Sequence, residues 1–214
     1  GTYELELSAD DGELSNTDTV TITVNDAPPP DGTVDLSVTP TTSTITQGET
    51  FSLTINVNAD TQDLSVVEVY LDFDPQALQV LSLTPDLSDL PVGLVAASFD
   101  NSEGTIAYGA GVFGAGNVAN GNFNLLTVEF QAVNTGNTQV AFFDPEGVGE
   151  TIVALNGINI TGTLSSADIT INEAQQNSAP IVNAGTNTSI TLPTNSLQLD
   201  ATVSDDGLPN STLS

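Results

Sequence analysis

The stretch Val67-Glu68-Val69-Tyr70-Leu71-Asp72-Phe73-Asp74-Pro75 decides the class of fold. Apolar side chains alternate with polar ones as far as Phe73, which is the period of a half-buried β-strand, and Asp74-Pro75 then signals a turn. The same period recurs at 34–38, 51–57, 126–130 and 169–171, between turns rich in Gly, Asn, Asp and Pro. The one helix-like candidate is a turn at 75–78. The sequence therefore predicts an all-β fold built from sandwiches.

The charge of the chain limits its chemistry. It has 28 Asp and Glu residues and no Lys, Arg or His, a formal net charge of -28. Without a histidine base, a cysteine or lysine nucleophile or an arginine clamp, we predict that it is not an enzyme. Nucleic acids and anionic membranes are bound through cationic side chains, so neither is an expected partner, and no apolar stretch is long enough for membrane insertion. The absence of cysteine is silent on redox compartment, and we expect an extracellular or cell-surface location.

Two Ala-Pro linkers divide the chain. We expect a proline-rich linker at 27–32 and a second linker at 173–179, each preceded by a strand that ends in Asn-Asp or Asn-Glu. Consecutive prolines make the first linker a stiff spacer. The predicted order is a partial module at 1–26, the first linker, a sandwich at 33–172, the second linker and a partial module at 180–214. No signal peptide is visible, so we expect a mature product or a window on a longer protein.

The two ends carry one resemblance. Residues 1–26 read GTYELELSADDGELSNTDTVTITVND, and a second stretch from residue 178 begins SAPIVNAGTNTSITL. They resemble, respectively, the C-terminal and N-terminal parts of the immunoglobulin-like PKD, cadherin-like and K319L-type modules of microbial surface proteins. The resemblance implies that each end is an incomplete sandwich, because the middle strands are missing.

The central region carries a second resemblance. The strand 67–73 with its Phe-Asp-Pro turn, followed by Ala77-Leu78-Gln79-Val80-Leu81, resembles a cohesin domain, and 104–108 and 125–132 are similar to its later strands. The resemblance implies a jelly-roll sandwich at 33–172. It also implies a function, because cohesins capture dockerins, which are small calcium-dependent partners.

Acidic turns are the candidate metal sites. Calcium prefers several carboxylate and carbonyl oxygens, and Asp-Asp-Gly turns offer two carboxylates beside a permissive glycine. The alternative is a solvated turn, or for the prolines a plain rigid linker. With calcium as the candidate cofactor, the candidate ligands are Asp10, Asp11, Asp26, Asp31, Asp205 and Asp206.

Other site chemistry is limited. Three sequons predict N-glycosylation at Asn159, Asn187 and Asn210 if the secretion route permits it. Asp72 and Asp74 share a strand face, but we expect Asp74 to cap the turn at Pro75 rather than to act in glycoside hydrolysis. No nucleophile elbow, phosphate-binding loop or zinc motif occurs in the sequence.

Two functional hypotheses follow. The first is a structural repeating subunit of an extracellular fibre or giant adhesin, in which copies assemble head-to-tail because the apolar faces of 1–26 and 178–214 complete each other. The alternative is a cohesin-type module that captures a dockerin-like protein, with glycans as a further candidate partner. The immunoglobulin-like neighbours of the central domain favour the first hypothesis.

Overall fold

The computed structural model describes residues 2–23, 32–114, 116–143 and 149–208. These ranges contain seventeen strands and no helix, so the predicted all-β class is confirmed. Accordingly, no described helix could cross a membrane. The strands are β1 Thr2–Asp10, β2 Ser15–Thr23, β3 Val34–Thr39, β4 Thr42–Thr46, β5 Thr50–Asn58, β6 Val66–Phe73, β7 Leu78–Pro85, β8 Val92–Asp100, β9 Thr105–Gly111, β10 Asn122–Ala132, β11 Gly136–Phe142, β12 Ile152–Leu155, β13 Ile158–Asn159, β14 Thr161–Ser165, β15 Ala167–Asn172, β16 Ile181–Asn183 and β17 Thr202–Ser204.

Contacts divide the chain into two units, Gly1–Asn172 and Glu173–Ser214. The first unit contains a sandwich of two sheets. One sheet has the order β14-β3-β5-β10-β7, and in the other β6 pairs with β9 on one edge and with β11 and β12 in succession on the opposite edge. Beyond them, β8 pairs with β9, β13 with β12, and β15 with both β11 and β4. Most pairs are antiparallel, whereas β14–β3 and β15–β4 are parallel.

The core forms where the inner faces of these two sheets meet. Buried residues alternate along β3 and β6, from Leu53 onward in β5 and from Leu126 onward in β10, as the period of two predicts. The ring of Phe130 lies 5.6 Å from that of Phe51 in a stacked arrangement and 5.6 Å from that of Phe73 edge-on. Phe130 is fully buried, and a fully buried apolar side chain stabilises the fold by roughly 1.5–3 kcal/mol relative to exposure.

The Phe-Asp-Pro turn ends β6. The Asp74 carboxylate accepts a hydrogen bond from the backbone N–H of Gln76 at 2.8 Å, and its carbonyl accepts one from Leu78 at 2.9 Å. Gly104 packs against this turn with a φ of 75°, and its carbonyl accepts the N–H of Phe73 at 2.8 Å. Asp74 therefore caps the turn, as its place before proline suggested, and its carboxylate is engaged in structure.

The β1–β2 hairpin also lies in the first unit. Its strands pair in register, with Tyr3 opposite Ile22 and Leu5 opposite Val20, so these apolar side chains share one face. Every residue of both strands is exposed, and Leu5 retains 54% of its accessible surface. The alternating pattern forms strands here, but it does not form a core.

The second unit has less regular structure than its sequence suggested. Strands β16 and β17 pair with Ile181 opposite Ser204, but residues 184–201 form no strand. We expected apolar strand faces in 178–214, and among its described residues only Ile181–Asn183 and Thr202–Ser204 are strands. Alternation alone does not specify a strand, because a strand also needs a paired neighbour, and the stretch that contains the exposed Leu192 and Leu199 pairs with no strand in the described part of this unit.

Candidate functional site

The outward face of β8, β9 and β6 brings together side chains that are far apart in sequence. Asp72 of β6 lies opposite Thr105 of β9, and Thr105 lies opposite Asp100 of β8. Directly opposed residues in a sheet share a face, so this row presents a hydroxyl between two carboxylates. The next row along the strands places Ala107 between Tyr70 and Ser98.

A pocket opens on this face, with a volume of about 330 Å³. Its lining is mostly apolar and includes three aromatic residues, Tyr70, Phe99 and Phe143, while Asp72 and Asp100 add two carboxylates. Phe143 is held beside β6 because its backbone N–H donates to the Tyr70 carbonyl at 2.8 Å. The pocket thus combines aromatic surface with negative charge.

The two carboxylates have opposite electrostatic environments. Partial burial raises the pKa of Asp72 above its ordinary value, and among the described residues no donor bonds to its carboxylate. The backbone N–H groups of Ser102 and Glu103 lower the pKa of Asp100, both bonding to its Oδ1 at 2.7 and 3.2 Å. These bonds close the β8–β9 turn.

Thr151, between β11 and β12, bonds to the backbone of Tyr70, which lines the pocket. It is 1% exposed, and its hydroxyl accepts the N–H of Tyr70 at 3.0 Å and lies 3.1 Å from the Tyr70 carbonyl. The side chain thereby replaces the backbone partner that β6 lacks where β11 has ended and β12 has not begun. This substitute pairing holds the backbone of β6 at Tyr70.

Strand β8 borders the site as an edge strand. Its stretch 92–99 reads VGLVAASF and contains no charged residue. Val92, Leu94 and Phe99 are 37%, 39% and 42% exposed. Edge strands β7 and β14 of the other sheet are uncharged as well, but β8 lies beside the pocket. Exposed apolar patches of this kind mark interaction sites.

The predicted metal residues of the hairpin occupy a tight turn. The Oδ1 of Asp10 accepts the N–H of Gly12 at 2.7 Å, and the Oδ1 of Asp11 accepts those of Glu13 and Leu14 at 3.0 and 2.9 Å. The Leu14 bond and then the Glu13 bond lower the pKa of Asp11. The negative charges of both carboxylates are thus stabilised by backbone N–H groups of the turn.

The second acidic turn is similar but less complete. Asp206 accepts N–H groups from Leu208 at 3.0 Å and Ser178 at 2.8 Å, which lower its pKa. The Oδ1 of Asp205 is buried, with no hydrogen-bond partner among the described residues. Asp26 and Asp31 lie outside the described residues. Across the residues that the structure describes, no three acidic side chains converge as a metal site.

The sequons lie outside the pocket's lining. Asn159 is exposed on β13, and its side-chain oxygen accepts the N–H of Thr161 at 2.8 Å. Asn187 is exposed in the second unit, and Asn210 is not among the described residues. Their glycosylation stays a prediction.

Sequence reasoning missed the pocket. It identified Asp72 as a strand residue on one face but did not connect it with Asp100, 28 positions later. The pairing of β8 with β9 and of β9 with β6 makes that connection. The local signal was the Asp100-Asn-Ser-Glu-Gly104 turn, which predicts a hairpin and would have placed β8 beside β9.

Solved cohesin structures are similar to this chain. A cohesin from Clostridium thermocellum in the Coh-OlpC–Doc435 complex has 13% identity and a TM-score of 0.54, covering 70% of this chain and 100% of its own. The third cohesin of ScaC from Acetivibrio cellulolyticus, in complex with the ScaB dockerin, has 14% identity and a TM-score of 0.52, covering 64% and 98%. The cohesin module of a Clostridium perfringens family 33 glycoside hydrolase has 14% identity and a TM-score of 0.51, covering 67% and 99%.

These likenesses establish the fold. The chain contains a cohesin-like jelly roll, which confirms the resemblance of its central region, and the comparisons do not extend to immunoglobulin-like modules at the ends. No model of a protein family and no curated protein matches the sequence.

Proposed function

We propose that the sandwich is a cohesin-type protein-binding module that captures a dockerin-like partner on the outward face of β8, β9 and β6. The observation that carries the proposal is the uncharged, partly apolar edge strand beside an aromatic pocket, on a fold whose solved examples include cohesin–dockerin complexes. An exposed patch with a concave centre is what a protein partner needs for desolvated contacts.

Binding fits this surface better than catalysis. The chain has no His, Cys, Lys or Arg, so a catalyst would depend on carboxylates and hydroxyls alone. Asp74 is occupied by the turn, and the remaining carboxylates, Asp72 and Asp100, have Thr105 between them and no His, Cys, Lys or Arg beside them. An exposed apolar border around a concave centre therefore suits docking better than catalysis.

The test is capture of dockerin modules, including those of the compared complexes, by the purified chain in calcium. Calorimetry should detect binding for at least one, and Thr105→Trp should abolish it by filling the pocket. Thr127→Trp on the outward face of the other sheet is the matched control and should bind normally. Failure of every dockerin tested, or equal loss in both variants, would reject this surface as a dockerin site.

We also propose, as a second candidate, that copies of the chain assemble head-to-tail into an extracellular stalk. The observation that favours it is the exposed apolar residues at both ends, with Leu5 at 54% and Val20 at 56% in the hairpin and Ile181 at 71% and Leu199 at 65% in the second unit. A two-stranded hairpin is marginal by itself. Pairing of the hairpin of one copy with the second unit of another would cover both.

Assembly is testable with a clean cross-link, because the chain has no cysteine. Leu5→Cys and Leu199→Cys variants, mixed and oxidised, should form a mixed disulfide dimer, whereas Ser52→Cys on the sandwich should not join either. Deletion of residues 1–26 should abolish filaments in electron micrographs. Filaments that persist after the deletion would exclude this mode of assembly.

Calcium binding in the second unit is part of the stalk proposal. The unpartnered Asp205 oxygen beside Asp206 favours a cation in the second unit. A melting temperature that rises more in calcium than in sodium chloride of equal ionic strength, and loses that excess in Asp205→Asn, is the expected result. Equal rises in both salts would remove the case for a specific site.

A further inference from the structure

The two carboxylates in the pocket on the docking face have no cationic partner within the chain. The carboxylates of Asp72 and Asp100 lie on either side of Thr105, each one strand away, and neighbouring strands are about 4.8 Å apart. No Lys, Arg or His exists in the chain to pair with them. A second copy of the chain brings no basic side chain either. The occupant that neutralises this pocket must be chemically different from the chain.

We propose that the pocket is the anchor site for an arginine side chain of the docking partner, with lysine as a weaker substitute. The inference rests on the proposed docking function and names the chemistry of the partner. The aliphatic stem would lie against the apolar lining, and the guanidinium would lie over Thr105 between the two carboxylates.

The carboxylates of the pocket complement the positive charge and the N–H donors of a guanidinium. Asp72 is partly desolvated with no donor among the described residues, and both backbone hydrogen bonds to the Asp100 carboxylate go to its Oδ1. A planar guanidinium offers five N–H donors, enough to bond both carboxylates and the Thr105 hydroxyl together. Tyr70 in the lining adds an aromatic surface on which a guanidinium can stack.

A metal ion fits the same pocket less well. Calcium takes six to eight oxygen ligands, whereas this lining is mainly aromatic and aliphatic and offers two carboxylates. No third acidic side chain joins them in the described ranges. Apolar walls favour an organic cation with a hydrocarbon stem over a hard ion.

The probe is n-butylguanidinium, compared with the neutral and nearly isosteric n-butylurea, in a titration followed by ¹H–¹⁵N correlation spectra of the intact chain. We expect saturable shifts at the amides of Thr105, Ala107 and Ser98 with the cation, at millimolar concentration, and at least five-fold weaker binding of the urea. Equal shifts with both probes, shifts spread over all acidic regions, or no shift at these amides would overturn the proposal.

Variants separate this site from general attraction of cations to a chain of charge -28. Asp72→Asn with Asp100→Asn should weaken butylguanidinium binding at least five-fold, and asparagine at 100 keeps the oxygen that accepts the turn's N–H groups. Glu129→Gln with Asp168→Asn changes the net charge equally, away from the pocket, and should leave binding unchanged. Equal weakening in both double variants would overturn the proposal.

The docking function and the anchor can fail separately. If dockerins bind but butylguanidinium does not perturb the pocket, the docking surface stands and the arginine anchor is rejected. If the pocket binds the cation selectively but no dockerin is captured, the anchor stands and the partner is a different protein with an exposed arginine.

Discussion

The sandwich and the β1–β2 hairpin have the same alternating pattern and opposite burial. Leu36 in β3 is fully buried, whereas Leu5 in β1 is 54% exposed, although each lies between polar neighbours in a strand. The difference is the second sheet, which covers the inner face of β3, whereas both strands of the hairpin are exposed throughout. Alternation thus specifies which residues share a face, and a core requires a second layer to cover that face.

The largest expected effect breaks this comparison directly. Leu36→Ala should lower the free energy of unfolding by roughly 3–5 kcal/mol, because it removes buried methyl groups and leaves a cavity. Leu5→Ala should change the unfolding of the sandwich by less than about 0.5 kcal/mol. Urea denaturation followed by circular dichroism measures both. Similar losses in the two variants would mean that the hairpin contributes to the core.

A second test compares two glycines with similar backbone conformations. Gly104→Ala should cost roughly 2–4 kcal/mol, because φ is 75° and the added Cβ would overlap the Phe73 carbonyl and lie 2.8 Å from Pro75. Gly12→Ala has a φ of 93° and no neighbour within 4 Å, so only the backbone strain of roughly 1 kcal/mol applies, and only to the hairpin. Thermal melting of the sandwich should separate them. Equal melting temperatures would contradict the packing at the Phe-Asp-Pro turn.

A third test concerns the buried hydroxyl beside the site. Thr151→Val should destabilise the sandwich by roughly 1–3 kcal/mol, because the Tyr70 N–H loses its acceptor without access to water. Thr17→Val on the exposed hairpin is the matched control and should change stability by less than about 0.5 kcal/mol. If the two substitutions have the same effect, Thr151 does not serve as the substitute partner of β6.

The smallest expected effect is the rise in melting temperature when the charge of Asp72 is removed. Burial raises the pKa of Asp72, so its ionised form opposes folding at neutral pH, and this cost disappears as pH falls below the ordinary aspartate range. Asp72→Asn should therefore raise the melting temperature slightly at pH 7 and leave it unchanged at pH 3.

The pKa of Asp100 is shifted in the opposite direction to that of Asp72. Hydrogen bonds from Ser102 and Glu103 lower its pKa, so its ionised form stabilises the turn above the ordinary aspartate range, and this contribution is lost as pH falls through the lowered pKa. Asp100→Asn should not raise the melting temperature at pH 7. A rise in both variants would indicate general relief of charge repulsion rather than a local effect at Asp72.

Much of the fold was predictable from residues close together in the sequence. The alternation at 34–38, 51–57, 67–73 and 126–130 predicted the strands and their buried faces, and the Phe-Asp-Pro turn predicted the role of Asp74. The apolar faces expected in 178–214 are more extensive than the strands that the structure contains, because only Ile181–Asn183 and Thr202–Ser204 of its described residues are strands. The difference is strand pairing, because β1 and β2 pair along their whole length without a covering layer, whereas residues 184–201 form no strand.

By itself, the sequence determined the all-β class, the absence of any internal cation and the identity of the residues on each strand face, since these depend on composition and on a two-residue period. Only the tertiary structure decided which carboxylates line the same pocket. Asp72 and Asp100 approach the same pocket because β9 lies between β6 and β8, and this pairing is non-local. Burial was likewise decided by layers, because an apolar face stabilises a fold only where another face covers it.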